Sequence, residues 1–262
     1  MKVILTLFSI CVTCHCIAQD TDWEQLYKES QKTEVYEPVP PKVTPANSIN
    51  GAPSDAIILF DGNNLDSWKY DNDSNEKWKI EDNILTVNKK AGGITTKKDY
   101  LDYQLHLEYR IPENITGEGQ SRGNSGIFLA YLGIVDKHFE EGYEIQILDN
   151  YNNETYVNGQ VGSLYKQAIP LANASKKPGE WQTYTIIWKA PRFNEDGSLK
   201  SAGFVSVIHN GVLVQNHTEV KGLTPWIGAP YYVKHGAAPI RLQSHGDPSE
   251  PISFRNIWIR EL

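Results

Sequence analysis

The segment Glu144-Ile145-Gln146-Ile147-Leu148-Asp149 sets two carboxylates and a carboxamide close together in the chain. Read as a strand, it turns Glu144 and Gln146 to one face and Ile145 and Ile147 to the other. Leu148 breaks the alternation. Taken as the extra residue of a β-bulge, it returns Asp149 to the face of Glu144 and Gln146. Such a face could move protons through its carboxylates or hold a ligand's polar groups through all three side chains. The plainer alternatives are a solvated strand for Glu144, a bridge between neighbouring strands for Gln146, and a turn at Asp149-Asn150.

The elements that must position this segment read as strands and turns. Ile57–Phe60 is a short apolar run stopped by Asp61-Gly62-Asn63-Asn64. Trp78–Ile80 and Ile84–Val87 flank a hairpin turn at Glu81-Asp82-Asn83. Tyr103–Arg110 alternates, with Tyr103, Leu105, Leu107 and Tyr109 on one face and Gln104, His106, Glu108 and Arg110 on the other. Ser125–Leu132 is entered through Arg122-Gly123-Asn124. Thr183–Lys189, Gly203–His209 and Val212–His217 follow, the last two joined by Asn210-Gly211, a strong two-residue hairpin signal. Ile240–His245 and Ile252–Arg260 close the chain. Many short strands without long helical periodicity predict an all-β fold, a two-sheet sandwich or jelly roll.

Ahead of it, Met1–Ala18 has the form of a secretory signal: Lys2, an apolar run from Val3 to Val12, and Ala18 before a polar start. A lipoprotein signal fits less well, because no Leu-x-Ala/Gly pattern precedes Cys14 or Cys16. The expectation is a secreted or periplasmic protein with no membrane insertion once the signal is removed. Cys11, Cys14 and Cys16 all lie in that segment, which leaves the mature chain no thiol chemistry and no disulfides. Removing Lys2 takes the formal charge from −7 to −8, which disfavours nucleic acid as a partner. Residues 19–54 read as a short helix, Asp22–Lys32, and a Pro-rich arm; residues 55–262 form one domain. Oligomeric state is left open.

Several motifs then resemble one family in order. Leu59-Phe60-Asp61-Gly62 with Leu65 and Trp68, Asn124–Phe128, Tyr143–Asp149, Gly162–Tyr165, Pro178–Trp181, Ile240–Gly246 and Phe254–Ile257 are similar to the motifs of the 3-keto-disaccharide hydrolase domain family. The resemblance spans Ile57 to Leu262. It implies a concanavalin A-like jelly roll and cleavage of glycosides whose sugar is already oxidised to a ketone at carbon 3. The substrate is then a carbohydrate, and no cofactor is implied.

Two chemistries compete on that scaffold. A retaining glycosidase needs two carboxyl groups roughly 5 Å apart. Laminarinase-type glucanases carry Glu-x-Asp-x-Glu, or a version with one extra residue. Glu144…Asp149 matches the longer version in spacing only, since Gln146 replaces the central Asp and Asp149 is one methylene shorter than Glu. A 3-keto sugar offers elimination instead: a base removes the hydrogen on carbon 2, the enolate expels the group on carbon 1, and water then adds across the double bond; direct hydrolysis with general acid–base help gives the same product, and the sequence does not separate the two. Glu144 or His245 is the candidate base, and Asp149 a further catalytic candidate. Arg122, Lys166 and Arg255 are candidate donors. Asn124, Gln146 and Gln243 are candidate sugar contacts, with Tyr165 and then Trp226 as stacking surfaces. For Arg255 a cross-strand ion pair is the alternative. No metal-ligand spacing stands out, although Asp71 and Asp73 could hold a structural Ca²⁺. The rival functions are a non-catalytic carbohydrate-binding module and an ordinary retaining endo-glucanase.

Overall fold

A computed structural model describes residues 22–70, 75–135 and 139–262. The proposed signal and the Asp71/Asp73 pair fall outside these residues. The chain divides into two compact units, one ending at Lys42 and one running Val43–Leu262. In the first, helix α1 spans Trp23–Gln31. The Asp22 side chain caps it by accepting from Gln25 N at 3.1 Å.

The second unit holds every described strand. In chain order these are β1 (Ile57–Phe60), β2 (Trp68–Tyr70), β3 (Lys79–Glu81), β4 (Ile84–Thr86), β5 (Ile94–Thr96), β6 (Tyr103–Arg110), β7 (Ser125–Phe128), β8 (Gly133–Val135), β9 (Phe139–Glu141), β10 (Glu144–Ile147), β11 (Trp181–Lys189), β12 (Arg192–Phe193), β13 (Leu199–Ser201), β14 (Gly203–His209), β15 (Val212–Val220), β16 (Arg241–Leu242) and β17 (Ser253–Glu261). They build an all-β, two-sheet jelly-roll sandwich. The larger sheet runs β15-β14-β11-β6-β17-β4-β3, with β1 also paired to β17; the smaller runs β10-β7-β16-β5-β2.

Alternation decides the layers. Tyr103, Leu105, Leu107 and Tyr109 of β6 and Tyr184, Ile186 and Trp188 of β11 enter the core from the large sheet. Ile127, Ile145, Ile147 and Leu242 meet them from the small sheet. Two buried phenols tie the layers: Tyr184 donates to Gln146 O at 2.8 Å and Tyr103 to Leu129 O at 2.6 Å. The β14–β15 turn places Asn210 (φ 51°) and Gly211 (φ 82°) in the left-handed region, as a twisted two-residue hairpin requires.

Several boundaries differ from the sequence reading. Strands β2 and β5 were not expected; at three residues each they carry too little pattern to detect. Strand β16 stops at Leu242, and Ser244 and His245 leave the ladder. Residues 43–54 belong to the sandwich unit: Asn50 O accepts from Asn256 Nδ2 at 2.8 Å and from Trp258 Nε1 at 3.2 Å.

Candidate active site

Strand β10 forms the floor of a cleft of about 550 Å³ on the side of the small sheet turned away from the core. Ile145 and Ile147 are committed to the core, so Glu144 and Gln146 face the cleft. The free edge of β10 is closed by the segment after Gly162. Gly162 N and Ser163 O bond the Gln146 main chain at 3.0 Å each, and Tyr165 N donates to Glu144 O at 3.0 Å. Gly162 makes this possible with a φ of +81°.

Glu144 is only 6 % exposed. Its N–H donates to Thr224 Oγ1 at 3.0 Å. Its side chain lies across β7 where that strand has Gly126. A Cβ on Gly126 would stand 2.1 Å from Glu144 Oε1. The glycine of the Asn-Ser-Gly-Ile-Phe motif is therefore the space the carboxylate occupies. Gln146 lines the cleft floor but is itself buried and bridged. Its amide nitrogen donates to Asn124 Oδ1 at 2.7 Å and to Ile147 O at 3.1 Å. Asn124 donates in turn to Gln120 O at 2.8 Å.

The opposite wall follows from the early end of β16. Gln243 stays beside β7, its N–H on Gly126 O at 2.9 Å and its carbonyl taking Ser125 Oγ at 2.8 Å. The chain then turns, bringing Ser244 and His245 to the cleft. His245 Nδ1 lies 2.9 Å from Asp247 Oδ2. Asp247 is nearly enclosed and also receives Lys89 Nζ at 3.1 Å, Ser249 N at 2.9 Å and the Ser249 hydroxyl. Burial pushes its carboxyl up, but the hydrogen bonds from His245, Ser249 and Lys89 outweigh burial and hold it far below the usual carboxylate range. An ionised carboxylate requires a donor, so in the neutral ring Nδ1 carries the proton and Nε2 the lone pair. The Asp247 N–H, 3.2 Å from Nδ1, is then the losing competitor for that nitrogen.

The rest of the wall is aromatic. Phe128, Tyr156, Tyr165 and Trp226 line it, and Lys166 Nζ ties the rim by donating to Trp226 O at 2.6 Å.

Of the residues expected from sequence, the cleft gathers Glu144, His245, Gln146, Asn124, Gln243, Tyr165 and Trp226. Four others, Asp149, Arg122, Arg255 and Lys166, do not line it. Leu148 is a core residue rather than an unpaired bulge, and Asp149 turns away from the cleft lining. Asp149 is 2 % exposed and pairs with Arg122 Nε at 2.7 Å, so both are spent on each other. Arg122 is further fixed on Ile115 O at 3.0 Å. Arg255 lies on the large sheet, in register with Glu108, and donates to it at 2.7 Å. Its guanidinium also covers Trp181, 4.0 Å from the ring centroid, so the cross-strand alternative is the one realised. Lys166 stands at the rim with its ammonium engaged.

Sequence reasoning missed Asp247, Ser244, Tyr156 and Phe128. The His-x-Asp spacing was a usable signal for the first; the others lie where no periodicity marks a face. Among the described residues, no three His, Cys, Asp or Glu side chains are grouped to hold a metal ion, and no helix is long and apolar enough to cross a membrane.

The family model described as the 3-keto-α-glucoside-1,2-lyase-like domain matches residues 55–260. The chain belongs to this family. Among solved structures, a proposed glycosyl hydrolase from Parabacteroides distasonis ATCC 8503 is 57% identical, with a TM-score of 0.80 over 88% of this chain and 96% of its own. A second proposed glycosyl hydrolase from the same organism is 20% identical, with a TM-score of 0.57 over 84% of this chain and 100% of its own; it speaks to the fold alone. No curated protein matches at a significant level. This family member is a carbohydrate-active enzyme, and its substrate is a carbohydrate.

Proposed function

We propose that this enzyme cleaves 3-keto-glycosides, and 3-keto-disaccharides among them, by elimination across carbons 1 and 2, outside the cytoplasm as its N-terminal segment suggests. The observation that carries this reading is the His245–Asp247 pair in the cleft that also holds Glu144. The family's description as 1,2-lyase-like supports the same chemistry.

In this reading His245 Nε2 takes the hydrogen from carbon 2, which the neighbouring ketone acidifies. Asp247 fixes the tautomer and stabilises the imidazolium that forms. Negative charge moves to the oxygen on carbon 3. Ser244 lines the cleft beside His245; its Oγ is turned inward with no hydrogen-bond partner among the described residues, and a change of rotamer brings it out to donate to that oxygen. Glu144 accepts sugar hydroxyls. Collapse of the enolate breaks the bond from carbon 1 to the glycosidic oxygen and leaves a 1,2-unsaturated 3-ketone. Water can then add across the double bond to give 3-keto-glucose. A retaining glucanase mechanism fits poorly, because the second carboxylate it would need, Asp149, is paired with Arg122 outside the cleft.

The test is incubation of the folded protein with a 3-keto-glucoside, following release of the group on carbon 1 and solvent-deuterium exchange at carbon 2. The expected result is both, with no reaction of the unoxidised parent glycoside. Turnover of the parent at the same rate, or neither release nor exchange, would overturn the reading.

A further inference from the structure

Two tyrosines joined through their hydroxyls stand on the far side of β10 from His245, 2.8 Å apart. Tyr165 belongs to the segment that extends the small sheet past β10, so its ring starts from a rigid edge and is 8 % exposed. Tyr156 opens the short helical turn Val157–Gly159 and is 40 % exposed. Its ring rests on Gly159, where a Cβ would come within 2.0 Å of Cε2. Gln120 fixes the same turn, donating to Thr155 Oγ1 and Gly159 O at 2.9 Å each. These are held groups at the mouth of the cleft.

Two hydroxyls sharing one hydrogen bond leave one proton over. Tyr165 is the enclosed partner and has no other acceptor among the described contacts, so it donates to Tyr156. The Tyr156 proton is then the one open to the cleft. Burial raises both phenols, and the nearby Glu144 carboxylate raises them further. Both remain protonated through the neutral range and are donors rather than bases.

We propose that Tyr156, held by Tyr165, gives its proton to the glycosidic oxygen as that oxygen leaves carbon 1. The inference rests on the elimination reading above. Position favours the departing oxygen over the enolate. The enolate oxygen stays with the retained sugar, on the wall of His245 and Ser244, whereas Tyr156, partly exposed, stands across the β10 floor from them, on the side left for the departing group. An aliphatic alkoxide is a stronger base than a phenolate, so the transfer runs downhill as the bond breaks.

The step balances. His245 takes the proton of carbon 2, whose electron pair becomes the enolate. The ketone reforms as carbons 1 and 2 become doubly bonded, and the electrons of the broken bond go to the departing oxygen. That oxygen receives the proton of Tyr156, which becomes a phenolate held by Tyr165. When water adds, its hydroxyl bonds to carbon 1 and its proton returns to Tyr156, while His245 returns a proton to carbon 2. Tyr156 is the catalytic residue of this step and Tyr165 its positioning residue.

The experiment compares wild type, Tyr156→Phe and Tyr165→Phe on methyl and 4-nitrophenyl 3-keto-glucosides, with carbon-2 exchange and melting temperature measured alongside. A nitrophenolate leaves without help. Tyr156→Phe is therefore expected to lose about 100-fold in kcat/KM on the methyl glycoside and no more than about threefold on the nitrophenyl one. Tyr165→Phe is expected to lose about tenfold on the methyl glycoside only. Exchange at carbon 2 persists in both variants. Equal losses on the two substrates in either folded variant would overturn the proton-donor role and leave the elimination reading intact. If wild type neither exchanges nor cleaves either glycoside, the elimination reading fails and this inference with it.

Discussion

Replacing Asp247 by Asn tests the base most sharply, because the structure dictates how the amide must sit. Asp247 Oδ1 accepts Ser249 N, the Ser249 hydroxyl and Lys89 Nζ. Three donors converge on that one oxygen, so an amide NH₂ cannot occupy its place without facing them. The Asn oxygen must take the Oδ1 position, which puts the NH₂ where Oδ2 now meets His245 Nδ1 at 2.9 Å. The amide then donates to Nδ1. That nitrogen must become the acceptor, and the ring proton moves to Nε2. The lone pair that faced the substrate is gone.

The size of the effect follows from what is removed. A general base contributes about 10²–10⁴-fold, and this substitution inverts its tautomer rather than weakening it. Asp247→Asn is expected to lower kcat/KM on a 3-keto-glucoside by at least about 100-fold, with carbon-2 exchange falling in parallel. The loss should appear in kcat, since Asp247 lies behind His245 and not in the cleft lining. Circular dichroism and melting temperature establish folding, and His245→Gln supplies the reference for complete loss of the base. A folded Asp247→Asn enzyme that keeps exchange within about threefold of wild type would refute the assignment of His245 as base.

Three further outcomes follow from the packing. Gly126→Ala should fold, because the atom its Cβ meets is the far end of the Glu144 side chain, but the displaced carboxylate should lower kcat/KM at least about tenfold while stability falls by only about 1–2 kcal/mol. Enzyme kinetics and thermal melts of the same sample separate the two effects. Arg122→Ala should do the reverse: it strands the buried Asp149, about 2–3 kcal/mol after allowing for Arg122's partial exposure, and leaves activity near wild type at temperatures where the variant is folded. Urea midpoints check this, and a collapse of kcat in a stable variant would return Arg122 to the reaction. Finally, His106 and His209 are buried and neutral, chiefly through desolvation, with pKa values lowered to about 4 and about 3. The unfolded chain binds their protons below pH 6.5 and the folded chain does not. Stability is thus complete above pH 6.5 and should fall by roughly 2–3 kcal/mol per unit as pH drops from 6 toward 4. Chemical denaturation across that window measures the slope, and His209→Gln should flatten it.

The sandwich was legible because its signals are local. The alternation of Tyr103–Arg110 and the Asn210-Gly211 turn each specify a face or a reversal within a few residues. The floor of the cleft was legible for the same reason: period two alone separates Glu144 and Gln146 from Ile145 and Ile147. A place for Asp149 on the cleft face depended on the strand continuing past a bulge, and the turn at Asp149-Asn150 is the alternative realised, with Tyr151 N donating to Asp149 Oδ1 at 3.1 Å. Leu148 satisfies the core by turning inward, and the chain leaves the sheet there. Its carboxylate then finds Arg122 across a contact 27 residues apart in sequence, which no local pattern encodes. Arg255 misled in the opposite way, since its motif is shared with the family while its task is to cross-link β17 and β6. Asp247 was visible as a letter in a turn. Its meaning depends on Lys89, more than 150 residues away, whose ammonium helps keep it ionised.

The single carboxylate on the floor is the feature that most constrains the chemistry. A glycosidase working on an unactivated acetal must stabilise an oxocarbenium ion and needs two acids at a set distance. A ketone at carbon 3 shifts that demand. Charge then develops on an oxygen of the sugar itself, and the protein need only remove one proton, receive one anion and help one group depart. These tasks can be assigned to separate walls: His245 with Asp247 behind it, Ser244 beside it, and the tyrosine pair opposite. Under such chemistry the floor needs only one carboxylate in the cleft and the other can serve stability: Glu144 lies over Gly126, and Asp149 is buried against Arg122.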